Sequence, residues 1–273
     1  MPELPEVETV KCGLKPHLEG ATIQDVVVRH PKLRWPIPTT LKSDLSQQQI
    51  SKLYRRGKYL LITVKTGTLI IHLGMSGSLC IATNSTPLRR HDHVDIIFSD
   101  QKILRYHDPR RFGAVLWAEG DPAQHPLIKS IGVEPLEENF TPQYLHQRAL
   151  GRRIAVKSFI MDSHVVVGIG NIYAAEALFL AKIHPSTPTG LLTLQKWEGL
   201  VEAIKHVLQL AITQGGTTLK DFVNSEGQPG YFAQKLNVYG RGGLPCVQCN
   251  TALRSIKLGQ RSTVFCECCQ VLI

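Results

Sequence analysis

The sequence has no apolar run approaching the roughly 18 residues of a membrane-spanning helix. Its first residues lack the basic-then-apolar order of a secretory signal. A cytoplasmic protein with no membrane partner is therefore expected. No segment is low in complexity and no long internal repeat recurs, which argues against a repeat array. Acidic residues are in short supply: 22 Asp and Glu face 31 Lys and Arg, giving a formal charge of +9. The surplus divides into +4 before residue 151 and +5 from there on. A surplus of this size favours a polyanionic partner. The seven cysteines are odd in number and five fall in the last 28 residues, which argues against a disulfide framework.

The 273 residues that remain to be explained suggest two domains, each able to bury a core. After a first helix over about 6–14, strands are expected at 22–29, 59–65, 68–73, 93–98, 102–106 and 114–118. Thr66-Gly67 and Ser99-Asp100-Gln101 read as hairpin turns. So many short strands imply an antiparallel sandwich or barrel. The second half turns helical, at 142–150, 171–181 and 193–212, the last with apolar residues at helical spacing. The polar segment 217–231 reads as a functional loop.

Chemistry begins at the first residues, Met1-Pro2-Glu3-Leu4-Pro5-Glu6. Removal of Met1, favoured by the small Pro2, would leave a secondary amine beside a carboxylate. An α-amino group titrates at about 7.7–8.0, so part of it is neutral and nucleophilic at cellular pH. Attack on an aldehyde-like carbon gives an iminium ion, an electron sink, with Glu3 placed to carry protons. The same stretch also reads as an ordinary helix start, with Pro5 in the first turn and acidic residues at the positive end of the dipole.

Cys246-x2-Cys249-x16-Cys266-x2-Cys269 has the spacing of a closed four-thiolate zinc site on a small ribbon, with Cys268 out of register. Arg261 lies just before the second pair, where it can be presented to phosphate. Gly168-Ile169-Gly170-Asn171 precedes a helix; it suits an anion site and equally a structural cap. His107-Asp-Pro-Arg110-Arg111-Phe112-Gly113 places arginines beside an aromatic able to wedge between bases, and Leu73-Gly-Met75-Ser-Gly77 carries an unbranched apolar side chain. Each also reads as packing. Lys58 opens a strand, where it either assists proton transfer or lies on the surface.

Taken together, these pieces resemble the bacterial formamidopyrimidine-DNA glycosylase (8-oxoguanine DNA glycosylase/AP lyase) family, related to endonuclease VIII. The resemblance runs through PELPEVET at 2–9, KYLL at 58–61, IHLGMSG at 71–77 and DPRRFG at 108–113. It continues through MDSHVVVGIGNIYAAE at 161–176, QGGTTLKDF at 214–222, PGYF at 229–232, VYGR at 238–241 and RSTVFCECCQ at 261–270. It implies an α+β fold: an antiparallel β-sandwich with a catalytic N-terminal helix over 1–133, a linker at 134–150, a helix–two-turn–helix domain at 151–237 and a zinc ribbon at 238–273. It implies a monomer that holds one structural Zn2+ and binds double-stranded DNA containing oxidised purines or abasic sites. Pro2 is then the nucleophile, Glu3 the general acid/base and Lys58 an active-site lysine that also contacts phosphate. Met75, Arg110 and Phe112 fill the gap left by the extruded nucleotide. Asn171 and Arg261 clamp phosphates, with His72, His91 and Arg111 as further backbone contacts. Lys157 and the 217–231 loop recognise the lesion. Rival expectations are an endonuclease VIII-like enzyme for oxidised pyrimidines and a non-catalytic nucleic-acid-binding protein.

Overall fold

A computed structural model of the chain describes residues 1–216 and 236–272. The expected 217–231 loop lies outside the described residues. The chain divides into two compact units. Met1–Lys129 forms the first, to which the chain returns at Gln214. Ser130–Thr213 and the described residues from 236 onward form the second.

The first unit opens with α1 (Leu4–Leu18), longer at both ends than the sequence suggests. Pro5 occupies the first turn, where its missing N–H is no loss, and Pro16 falls in the last turn, where little helix remains to break. Two four-stranded antiparallel sheets follow, with α2 (Leu41–Leu45) between their first strands. One has the order β1 (Ile23–Val28), β6 (Asp92–Phe98), β7 (Ile103–His107), β5 (Ser78–Ala82). The other runs β2 (Lys52–Arg56), β3 (Tyr59–Val64), β4 (Gly67–His72), β8 (Ala114–Glu119). The β3–β4 loop is Lys65-Thr66, with Gly67 already paired to Val64 in the ladder. A single apolar cluster draws Val7, Val10 and Leu14 from α1 together with Leu60, Ile71, Ile96 and Leu104 from the two sheets. Each such side chain, once fully buried, contributes about 1.5–3 kcal/mol relative to exposure. Both sheets and the N-terminal helix are thereby fixed to one core. A short α3 (Pro126–Lys129) closes the unit.

The second unit contains α4 (Pro142–Ala149), α5 (Val156–Ile160), α6 (Asn171–Leu180), α7 (Leu194–Thr213) and a two-stranded ribbon of β9 (Arg254–Leu258) and β10 (Arg261–Phe265). The segment 134–150, read as a linker, thus carries α4, whose Leu145 and Ala149 are buried. The stripe on α7 is buried at Trp197, Leu200, Val201, Ile204, Val207, Leu208 and Ala211. The ribbon has its own small core, in which Ala175 and Phe179 of α6 meet Val238, Leu253 and Val264. No described helix is long and apolar enough to cross a membrane.

Candidate functional site

The N-terminal residues are not a loose end. Pro2 and Glu3 are both buried, and Glu3 caps α1. The Glu3 backbone N–H donates to Glu6 Oε2 at 2.8 Å, which ties the first residues to the helix they precede. Lys58 sits in the two-residue Gly57-Lys58 turn between β2 and β3, half-buried. The turn is braced against α1 by Arg55. Arg55 Nε donates to Glu8 Oε2 at 3.0 Å while Nη1 donates to the Gly57 carbonyl at 3.0 Å. Burial works to raise the Glu8 carboxyl, but hydrogen bonds and charges from Lys11 and Arg55 hold it below its ordinary value. Glu8 therefore stays an anion that couples the Lys58 turn to the helix behind Pro2 and Glu3.

Next along the sheet, His72 pairs with Tyr59 across β3 and β4. Its Nδ1 accepts the Gly74 N–H at 3.0 Å, so the ring proton belongs on Nε2. Burial, followed by the charges of Lys58 and Arg34, pulls its pKa down to about 4, with Asp108 opposing. The imidazole is thus a neutral donor at physiological pH.

Met75, Arg110 and Phe112 come together on two adjoining loops. Met75 is 39% and Phe112 45% exposed. The Arg110 guanidinium lies 5.0 Å over the Phe112 ring. His91 and Arg111 line a cavity of about 380 Å³ with Arg29, Arg89 and Arg90. Arg111 Nη1 donates to His30 Nε2 at 2.8 Å, so His30 is an acceptor there.

In the second unit, Asn171 is the first residue of α6, with Gly170 as its cap. Asn171 Nδ2 donates to the Ser262 carbonyl at 3.0 Å, next to exposed Arg261 at the start of β10. The two expected phosphate clamps are therefore neighbours. Lys157 is only 2% exposed, and its Nζ donates to Thr263 Oγ1 at 2.8 Å. Its ammonium thus bonds to the ribbon strand beside Arg261.

The Sγ atoms of Cys246, Cys249, Cys266 and Cys269 lie within 4.8 Å of one another. Cys249 and Cys266 are 3.4 Å apart and Cys246 and Cys269 3.9 Å. A tetrahedral zinc with Zn–S bonds of about 2.3 Å needs sulfur separations of about 3.8 Å, so the set fits. Backbone N–H groups of Gln248 and Cys269 donate to the sulfurs of Cys246 and Cys266. Exposed Cys268 is outside the cluster. Four thiolates leave no open position, so one zinc here is structural.

Three groups escaped the sequence reading: the Glu8–Arg55 brace, Asp108 and Glu176. Glu176 is a buried carboxylate on an otherwise apolar helix, and that misfit was its only signal in the sequence. Its oxygens accept the N–H groups of Asn237, Val238 and Tyr239 at 2.8–2.9 Å, fixing the chain as it enters the finger.

Two basic stretches of chain, a helix-capping N-terminal carboxylate and a four-thiolate ribbon define a zinc-finger protein of the kind that meets nucleic acid. Comparison with known proteins makes the family definite. Residues 1–115 match the formamidopyrimidine-DNA glycosylase N-terminal domain, 131–223 its H2TH domain and 243–271 the zinc finger found in FPG and IleRS. The chain is 54% identical to the formamidopyrimidine-DNA glycosylase of Alcanivorax borkumensis over 270 residues, covering 99% of this chain and 100% of the relative. It is 55% identical to that of Photobacterium damsela subsp. piscicida, with the same coverage. Among solved structures, the Lactococcus lactis Fpg in complex with abasic-site DNA is 34% identical, with a TM-score of 0.91 over 98% of this chain and 99% of that one. The MutM (FPG) protein of Thermus thermophilus is 33% identical, with a TM-score of 0.88 over the whole of both chains. The chain belongs to the formamidopyrimidine-DNA glycosylase family.

Proposed function

We propose that the chain is a base-excision repair glycosylase and AP lyase. It removes oxidised purines, 8-oxoguanine and formamidopyrimidines, from double-stranded DNA and cleaves the abasic site by β,δ-elimination. The observation that carries this is the full-length match to relatives of that name, joined to a buried Pro2-Glu3 start on a helix whose Glu8 is bonded to Arg55, beside the Lys58 turn. Similar structures hold DNA with an abasic site, carbocyclic 8-oxo-G or Fapy-dG. In the proposed division, residues 1–133 carry the chemistry, 134–150 connect, 151–237 grip the duplex and 238–273 form the finger. The cytoplasm, at the nucleoid, is the proposed location.

A base in the stack is out of reach, so the damaged nucleotide is extruded, with a damaged pair the easier to open. Met75, Arg110 and Phe112 fill the space it leaves. The Pro2 amine, released by loss of Met1, bonds to C1′ as the C1′–base bond breaks. Glu3 supplies the proton that opens the sugar ring. The resulting iminium acidifies C2′, whose proton leaves as the 3′ phosphate departs. A second elimination expels the 5′ phosphate. Lys58, His72, Asn171 and Arg261, with His91 and Arg111, hold the backbone phosphates throughout. Zinc, held by Cys246, Cys249, Cys266 and Cys269, supplies only the crosslink that shapes the finger.

Borohydride trapping tests this reading. The chain, confirmed by intact mass to begin at Pro2, is expected to form a covalent adduct with 8-oxoguanine or abasic duplexes. Pro2→Gly and Glu3→Gln are expected to reduce it by at least 100-fold, in the range seen for general acid–base and nucleophilic groups. No adduct would leave a DNA-binding protein without the chemistry. Faster excision of thymine glycol than of 8-oxoguanine opposite cytosine would assign it to oxidised pyrimidines instead.

A further inference from the structure

We infer that Asp108 is a positioning residue for the gap-filling side chains: its buried carboxylate locks the loop carrying Met75 to the loop carrying Arg110 and Phe112. The inference rests on the reading of those three residues as the ones that replace the extruded nucleotide. Asp108 is completely buried just beyond the end of β7. Its Oδ1 accepts the Ser76 hydroxyl at 2.9 Å, from the Met75 loop. Its Oδ2 accepts the Gly113 N–H at 2.9 Å, from the residue after Phe112, and the Tyr106 hydroxyl at 3.2 Å. One carboxylate therefore ties both loops to the sheet beneath them.

The Asp108 main chain closes the same knot. Its N–H donates to the His91 carbonyl at 3.0 Å. Its carbonyl accepts His93 Nε2–H at 2.8 Å and the Arg111 N–H at 3.2 Å. The second of these bonds makes a tight turn with Pro109 and Arg110 at its tip, and Arg111 takes a left-handed φ of 55° to leave it. The loops then touch backbone to backbone. A Cβ on Gly74 would lie 2.4 Å from the Gly113 nitrogen and 2.5 Å from the Phe112 carbonyl carbon. A Cβ on Gly113 would lie 1.8 Å from the Tyr106 hydroxyl, in the middle of the hydrogen-bond set. Neither loop has room to slide past the other.

The chemistry of the centre suits this task. Three donors converge on Asp108, and an anion accepts all three with the strength of charge-assisted bonds. The side chains above it, Met75 and Phe112, are exposed. Their separation must come from below, from a base rigid enough to present them together.

Four variants test the inference: Asp108→Ala, Ser76→Ala, the conservative Asp108→Asn, and Phe112→Ala as the reference. Each is assayed for excision of 8-oxoguanine from a duplex and for borohydride trapping on a single-stranded abasic oligonucleotide, where no partner base has to be replaced. Asp108→Ala is expected to lose about tenfold or more in duplex excision, the effect of one charge-assisted bond, while single-strand trapping changes little. Asp108→Asn, which still accepts from Gly113 and Tyr106 and can donate to Ser76, is expected to recover most of it. Ser76→Ala removes a single half-buried hydroxyl and keeps the test open if Asp108→Ala does not fold. Wild-type duplex excision in Ser76→Ala and Asp108→Ala, beside a Phe112→Ala that has lost it, overturns the positioning role alone. So does a parallel fall on both substrates in folded protein. A Phe112→Ala chain that excises normally removes the gap-filling reading and the inference with it.

Discussion

His72 shows how much one side chain's surroundings decide. Its Nδ1 is taken by the Gly74 N–H, its neighbours Lys58 and Arg34 are cationic, and its ring is largely out of water. Burial first, then the charges of Lys58 and Arg34, outweigh the opposing Asp108 and lower the pKa to about 4 from an ordinary 6.5. Between those values the unfolded chain binds a proton that the folded chain refuses. The stability contributed by neutral His72 is therefore complete above about pH 6.5 and is lost as pH falls towards 4, on the order of 3 kcal/mol in all. His107, His125 and His184 are shifted in the same direction, so the wild-type slope is shared. Urea unfolding at pH 7 and pH 5 is expected to show a smaller pH effect in His72→Gln than in wild type. Equal slopes would mean that the imidazole is not held neutral by its site. A neutral Nε2–H also suits the proposed phosphate contact, because it donates without adding a charge that would vary with cellular pH.

At the scale of elements, α1 must do two things at once: pack Val7, Val10 and Leu14 into the core and hold its first residues still. Glu6 serves the second task through the Glu3 N–H. Glu6→Ala is expected to lower stability by about 1 kcal/mol, the usual worth of a cap, and to reduce borohydride trapping further than stability alone explains. Glu6→Gln, which keeps an acceptor, should lose less of both; equal losses would argue that the cap does not position the terminus. The strands rich in Val, Ile and Leu, such as β3, β4 and β6, could be read directly from the residues, as could the buried stripe of α7. β2 could not, because Lys52, Arg55 and Arg56 mask its alternation, and it is made a strand by pairing with β3. β5 was hidden for a related reason: it is short, and its pairing with β7 defines it. The site followed the same rule. Cysteine spacing is local and was readable, whereas Asp108 and Glu176 gather partners up to 63 residues away. The ribbon gives a sharp test, since its small core leans on four thiolates. Chelation with verified metal loss is expected to abolish DNA binding, and unchanged affinity would count against a structural zinc. Cys268→Ser should keep full metal content, because that thiol stands outside the cluster.

Across the whole molecule, the +9 charge is spread over both halves of the chain, so attraction to DNA is a collective property. Its measure is the slope of log affinity against log salt, which counts phosphates neutralised. Removing a cation that meets a phosphate should change the slope; removing one that only supports the fold should not. Arg261 and Lys157 provide the contrast. Arg261 is exposed at the start of β10, beside the Ser262 carbonyl that Asn171 holds. Arg261→Ala is expected to weaken binding to all sequences alike and to reduce the salt slope by about 1. As an exposed substitution it should change stability by no more than about 0.5 kcal/mol. Lys157 is buried, with its Nζ donating to Thr263 Oγ1. Lys157→Met is expected to leave the slope as it was while lowering the melting temperature and loosening the ribbon, because Thr263 loses its donor. Titrations at four salt concentrations, with thermal melts of the same preparations, separate the two. A wild-type slope in Arg261→Ala would sink its phosphate role, and a reduced slope in Lys157→Met would mean that its charge reaches DNA after all.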